Sequence, residues 1–100
     1  MNFNKNSIKE LKQIPGVGES IAQDLLKIGI KSIKDLKGKN PETLYNIINS
    51  KTGIVQDRCL LYVFRCAVYY ASTEESSQHP DKLKWWNWTD SKMSGEIRGF

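Results

Sequence analysis

Ile14-Pro15-Gly16-Val17-Gly18 stands between two amphipathic segments and runs directly into Glu19-Ser20-Ile21-Ala22-Gln23-Asp24-Leu25-Leu26. A proline and two glycines around one apolar residue let the chain reverse tightly and begin a new helix with its first backbone amides exposed. Such a helix start carries partial positive charge and makes a phosphate-sized anion site, which points toward nucleic acid. The plainer alternative is a turn that only joins two helices.

Working outward, Ser7 is placed to cap a first helix on which Ile8, Leu11 and Ile14 recur at helical spacing, and Pro15-Gly16 stops it. The second helix opens at Gly18 or Glu19 with Ile21, Ala22, Leu25, Leu26 and Ile28 as a broad apolar face, and Gly29 is its stop. Ser32-Ile33-Lys34-Asp35 has the form of a capping box with aspartate in place of Glu or Gln. It predicts a short third helix carrying Ile33 and Leu36 that Gly38 ends. Asn40-Pro41 then supplies an N-cap and a first-turn proline for a fourth helix with Leu44, Ile47 and Ile48 inward. Helix, Gly/Pro turn, helix thus occurs twice, and residues 7–28 and 32–50 read as a degenerate internal repeat.

A longer helix is predicted over 57–71, N-capped by Asp57. Leu60, Leu61, Val63, Phe64, Ala67 and Val68 cover most of its circumference, as expected of a central core helix. One stripe departs: Arg58, Tyr62, Arg65 and Tyr69 share a face that meets solvent or a partner. It is either the polar side of a core helix or a surface for cation–π contact, base stacking or protein docking. Residues 72–82 have loop composition. Trp85-Trp86-Asn87-Trp88-Thr89-Asp90 is expected to fold back as a lid over 83–90, a stacking platform being the alternative. Residues 91–100 lack periodicity and are expected to form a flexible tail. The fold class is therefore all-α, about five helices, in one domain over residues 1–90.

With 100 residues, 39% of them hydrophobic, the chain fits one small core. The formal charge is +4, and all of the excess lies in one half: Lys5 to Lys51 holds nine lysines against five acids. That half can steer a polyanion, or its lysines simply solvate helix faces. Cys59 and Cys66, seven positions apart, would stand about 10 Å apart on a helix, beyond disulfide reach; buried free thiols in a reducing compartment are expected. Without a CxxC pair, and with His79 the single histidine, no zinc site is expected. No signal-peptide pattern or membrane-length apolar run is present, so a soluble cytoplasmic protein is expected. His79 sits in a polar loop beside Pro80, and Asp24, Asp35 and Glu42 have no ligand-like spacing. HExxH, nucleophile-elbow and P-loop patterns are absent, so neither catalysis nor a cofactor is expected.

The run from Leu11 to Ile30, Leu-x-x-Ile-Pro-Gly-Val-Gly-x-x-x-Ala-x-x-Leu-x-x-x-Gly-Ile, resembles the helix-hairpin-helix motif of DNA-repair and recombination proteins. A longer succession, from this turn through Pro41-Glu42-x-Leu44-Tyr45, Thr52-Gly53 and Val63 to Ala71 to Trp85 to Asp90, is similar to the small bacterial pathogenicity-locus family, also labelled mitomycin-resistance proteins. The resemblance implies two tandem helix-hairpin-helix units on a long central helix and a DNA-associated role. It assigns phosphate-facing backbone to Gly16, Val17 and Gly18, with Lys12, Ser20 and Lys27 flanking. It also implies a monovalent-cation option at the carbonyls of Ile14, Gly16 and Val17. Two departures matter: Glu19 brings a carboxylate beside the site, and Gly38-Lys39-Asn40-Pro41 lacks the second GxG. One competent hairpin and one structural hairpin are expected, with Lys39 an auxiliary contact. The expected function is weak, salt-dependent, non-sequence-specific DNA binding. The alternative is a helical protein-interaction or dimerisation module without direct DNA binding, using Arg58, Tyr62, Arg65 and Tyr69.

Overall fold

Capping residues set several of the helix boundaries in the computed structural model, which describes residues 5–90. The five helices are α1 Lys5–Leu11, α2 Glu19–Lys27, α3 Ile33–Leu36, α4 Pro41–Thr52 and α5 Arg58–Ser72. Short 3-10 turns follow at Glu75–Ser77, Pro80–Leu83 and Trp85–Trp88, and no strand occurs among the described residues. The expected all-α class holds. The expected tail, 91–100, lies outside the described residues.

Asn40 caps α4 by accepting from the amides of Glu42 and Thr43 at 2.9 and 3.2 Å, and Asp57 caps α5 by accepting from Cys59 at 2.8 Å. At the far end of α2, the amides of Gly29 and Ile30 return to the carbonyls of Leu26 and Leu25, with Gly29 at φ 89. This pair of bonds needs the left-handed residue that glycine supplies without strain.

Other boundaries depart from expectation. Ser7 lies inside α1, which already contains Lys5 and Asn6, so it is not the cap. Ser32 stands at the N-cap of α3 but its hydroxyl caps nothing. Instead the Glu10 carboxylate accepts from the Ile33 amide at 2.9 Å, so α1 serves the start of α3 from a distance. Asp35 accepts from the Lys31 amide at 3.0 Å. On α4 the inward face carries Leu44, Tyr45 and Ile48, whereas Ile47 is exposed. Tyr45 reaches the core because its hydroxyl has a partner there, the carbonyl of Gln56.

α5 runs through the middle, with Leu61, Phe64, Cys66 and Ala67 fully buried and α3, α4 and the tryptophan-bearing segment packed against it. Leu11, Ile14, Val17, Ala22 and Leu25 join the same core from the α1–α2 side. Ala22, expected on the apolar face of α2, is fully buried.

Candidate nucleic-acid interface

The first turn is built around one hydrogen bond, the Val17 amide donating to the Ile14 carbonyl at 3.0 Å. Pro15 and Gly16 occupy its central positions, and Gly16 has φ 86. That is a type II turn, in which proline presets the first corner and glycine takes the positive φ of the second. Val17 is buried and anchors the turn to the core, while Gly16, Gly18, Glu19 and Ser20 remain exposed.

Gly18 is the N-cap of α2, extended at φ −95, and offers no capping side chain. The first bond into the helix runs from the Ala22 amide to the Gly18 carbonyl at 2.9 Å. Consequently the amides of Glu19, Ser20 and Ile21 have no acceptor among the described residues. A Cβ on Gly18 would meet nothing within 4 Å, so the approach to these amides is open.

Charge around this opening is unevenly placed. Lys12 and Glu19 line a groove of about 410 Å³ together with Lys5, Lys9 and Gln23. Lys5, Lys9 and Lys12 follow one another along one side of the first helical segment. Lys5 and Lys9 were not singled out by the motif, although their helical spacing to Lys12 carried the signal. Glu19 accepts from the Gln23 amide group at 3.4 Å, which holds its carboxylate along the flank of α2. Ser20 is exposed in the first turn of α2. Lys27 lies at the opposite end of the nine-residue helix, paired with Asp24 at 3.8 Å. Lys39 lines a separate groove of about 540 Å³ with Lys34 and Lys37. The structure therefore gathers Lys12, Gly16, Val17, Gly18 and Ser20 at one end and places Lys27 and Lys39 elsewhere. Of the three carbonyls tied to a monovalent cation, that of Ile14 already accepts the turn's own amide.

The Arg/Tyr stripe of α5 meets the chain's own carboxy-terminal segment. Arg58 donates through Nε and Nη2 to Asp90 at 3.0 and 2.7 Å. Arg65, only 7% exposed, donates to Asp90 at 3.0 Å, to Glu42 at 2.9 Å and to the Trp88 carbonyl at 2.8 Å. The Tyr62 hydroxyl adds a 3.1 Å bond to Asp90. Hydrogen bonds from Arg58, then from Arg65 and Tyr62, hold the Asp90 carboxyl down at about 2. Tyr69 accepts from the His79 amide at 2.7 Å, and its ring lies 5.7 Å from that of Trp88. Asp90, Glu42 and Glu10 are the positioning residues that sequence reading missed; an arginine amid the apolar residues of a core helix, Arg65, signalled the need for anionic partners without naming them.

The tryptophans divide. Trp88 is tied to the Lys82 carbonyl at 2.8 Å, and Trp85 lies against the first turn, its Cδ1 2.9 Å from where a Cβ on Gly16 would stand. Trp86 is 53% exposed and meets Trp85 edge to face. The cysteines divide too. Cys66 is buried, which pushes its thiol up to about 11, whereas Cys59 is exposed, contrary to the expected burial of both. Asp57 at the N-cap brings Cys59 to the helix start, where one side faces solvent.

A family model described as Cdd1, pathogenicity locus, matches residues 4–94. No curated protein and no solved structure matches the chain. Because the match takes in the first turn, all five helices and the Asp90 clasp, the chain belongs to the pathogenicity locus family.

Proposed function

We propose that this protein is a non-catalytic DNA-binding module that holds backbone phosphate at its first turn without reading sequence. The observation that carries the reading is the unserved start of α2, three amides with no acceptor among the described residues beside a glycine with open space in front of it. A phosphate oxygen supplies the acceptors these amides lack, and the helix dipole favours its charge. Lys12, with Lys9 and Lys5 behind it, adds long-range attraction along the neighbouring groove. The turn is a helix-hairpin-helix in this reading, and the resemblance of Leu11 to Ile30 to such hairpins supports a role in DNA repair or recombination. Few phosphates are neutralised, so affinity falls in the non-specific range, Kd roughly 10⁻⁴ to 10⁻⁶ M at physiological salt.

The test is a titration of fluorescent duplex, single-stranded and branched DNA with the wild type and Gly18→Ala at two salt concentrations. Gly18 has room for a methyl group, so the variant keeps its fold. Wild type binds at low salt and weakens as salt rises, and Gly18→Ala binds less tightly. Equal binding by both proteins, or binding by neither, refutes the reading.

A second reading, a helical module that dimerises or docks a protein partner, draws on Ile54, Val55 and Trp86, which are 66%, 80% and 53% exposed. Sedimentation that finds a monomer at every concentration removes its dimer form.

A further inference from the structure

On the other side of the first turn from the lysine groove lies a cleft of about 290 Å³ whose chemistry is opposite. Its apolar walls are Ile21, Leu60, Val63 and Trp85, and Gly16 of the turn forms part of its edge. Its polar residues are Asp24, which pairs with Lys27 at 3.8 Å, Asp57 and Gln56, and no basic residue lines the cleft itself. Asp57 caps α5 by accepting from the Cys59 amide at 2.8 Å, and the Cys59 thiol is a second hydrogen-bond partner of its carboxylate. The Gln56 wall is preformed: its amide donates to Asn49 at 2.7 Å, its carbonyl accepts from Tyr45, and its side-chain amide reaches Thr52 at 3.2 Å.

We infer that this cleft takes an unpaired nucleobase, guanine before the others, from the nucleotide whose phosphate sits at the start of α2. The inference rests on the phosphate reading above and names the DNA that the same end of the molecule selects. Three features combine. The cleft shares Ile21 with the open amides and Gly16 with the turn, so it lies within one nucleotide of the phosphate. Its volume is at or below the small end of ligand pockets, roughly 300 Å³, which suits one flat heterocycle beside an indole. Its side-chain carboxylates repel phosphate and accept N–H donors, and guanine presents the most donors on its Watson–Crick edge. Base-paired DNA keeps that edge occupied, so a bulge, a loop or a single strand is required. Burial raises the Asp24 carboxyl from its usual value, consistent with a site made drier than the surrounding surface.

Cys59 lines the cleft and is exposed, whereas Cys66 is buried, so alkylation of Cys59 reports occupancy. The rate of its reaction with N-ethylmaleimide is followed by mass spectrometry beside a fully paired DNA hairpin and beside the same hairpin with one extra unpaired guanine or thymine. Binding of each DNA is measured in parallel by fluorescence anisotropy. The unpaired guanine slows alkylation roughly tenfold, thymine slows it less, and the paired hairpin leaves it unchanged. In Asp24→Asn, with melting temperature as the check on folding, guanine loses its advantage over thymine. If the hairpins bind but none protects Cys59, the cleft is not a base site while the phosphate reading stands. If no DNA binds, both readings fall together. If arginine amide protects Cys59 and no DNA does, the cleft serves a guanidinium from a protein partner and the inference is overturned.

Discussion

Two of the glycine-containing turns among the described residues, those at Gly16 and Gly38, solve the same chain-reversal problem and treat the following helix in opposite ways. Gly16 and Gly38 both take positive φ, 86 and 75, and each is followed within three residues by a helix start. In the second turn the protein serves its own backbone. The Gly38 amide donates to Ser72 at 3.0 Å, the Lys39 amide to Leu36 at 3.0 Å, and Asn40 takes the amides of Glu42 and Thr43. In the first turn Gly18 stands where Asn40 stands, and the amides of α2 are left open. A helix start already filled by a side chain has nothing to offer a phosphate. The difference is one side chain, and it separates a structural hairpin from one with spare donors.

The sharpest way to break this comparison is to put a β-carbon on each glycine. Gly16→Ala combines backbone strain with a collision against Trp85 and costs about 3 kcal/mol. Gly38→Ala meets open space and costs about 1 kcal/mol. Equal losses in urea denaturation would show that Trp85 does not rest on the first turn.

Trp85 belongs to the segment that packs on α5 and ends in the Asp90 clasp, and the second turn carries no such cover. Asp90→Asn removes the carboxylate that Arg58, Tyr62 and the buried Arg65 share, Glu42 remaining on Arg65, and costs about 1 kcal/mol because Asp90 is half exposed and screened by solvent. Because the Asp90 carboxyl is held below its usual value of 3.8, at about 2, its contribution is complete above pH 4 and is lost as pH falls through about 2. Stability of the wild type measured between pH 5 and pH 2 should drop more than that of Asp90→Asn.

Exchanging the caps has smaller effects on stability and larger ones on binding. Gly18→Asn fills the start of α2, changes stability by only a few tenths of a kcal/mol, and weakens DNA binding about tenfold. Asn40→Ala costs about 1 kcal/mol in thermal unfolding, and Asn40→Gly costs less while opening the amides of Glu42 and Thr43. If Gly18→Asn binds DNA as the wild type does, the open helix start is not the contact.

The caps that make this comparison were legible in the sequence because they are local. Asn40-Pro41, Asp57 and Gly29 each act within a few residues, and residue type suffices to place them. Pro15-Gly16 was legible for the same reason. The lysines expected around the first turn were half legible: Lys12 lies by the turn, but only the three-dimensional groove separates it from Lys27 and Lys39. What sequence could not show are bonds between distant segments. Glu10 serves Ile33 from 23 positions away and Asp90 serves Arg58 from 32, and no spacing rule announces either. The start of α1 escaped because Ser7 is a good cap by type yet lies within a helix that begins earlier. Tyr45 displaced Ile47 from the core because a single carbonyl, that of Gln56, was within its reach.

The buried guanidinium of Arg65 imposes an order on synthesis. Its Nη groups are satisfied by Glu42, made earlier in the chain, and by Trp88 and Asp90, made 23 and 25 positions later. Its Nε has no partner among the described residues. A nascent chain that has produced all five helices therefore still holds an under-paired charge against its core, and the native arrangement closes only when Asp90 arrives. The residue that completes the electrostatics of the central helix lies well beyond the end of that helix at Ser72, so a chain cut short before Asp90 carries the five described helices and lacks the native seal.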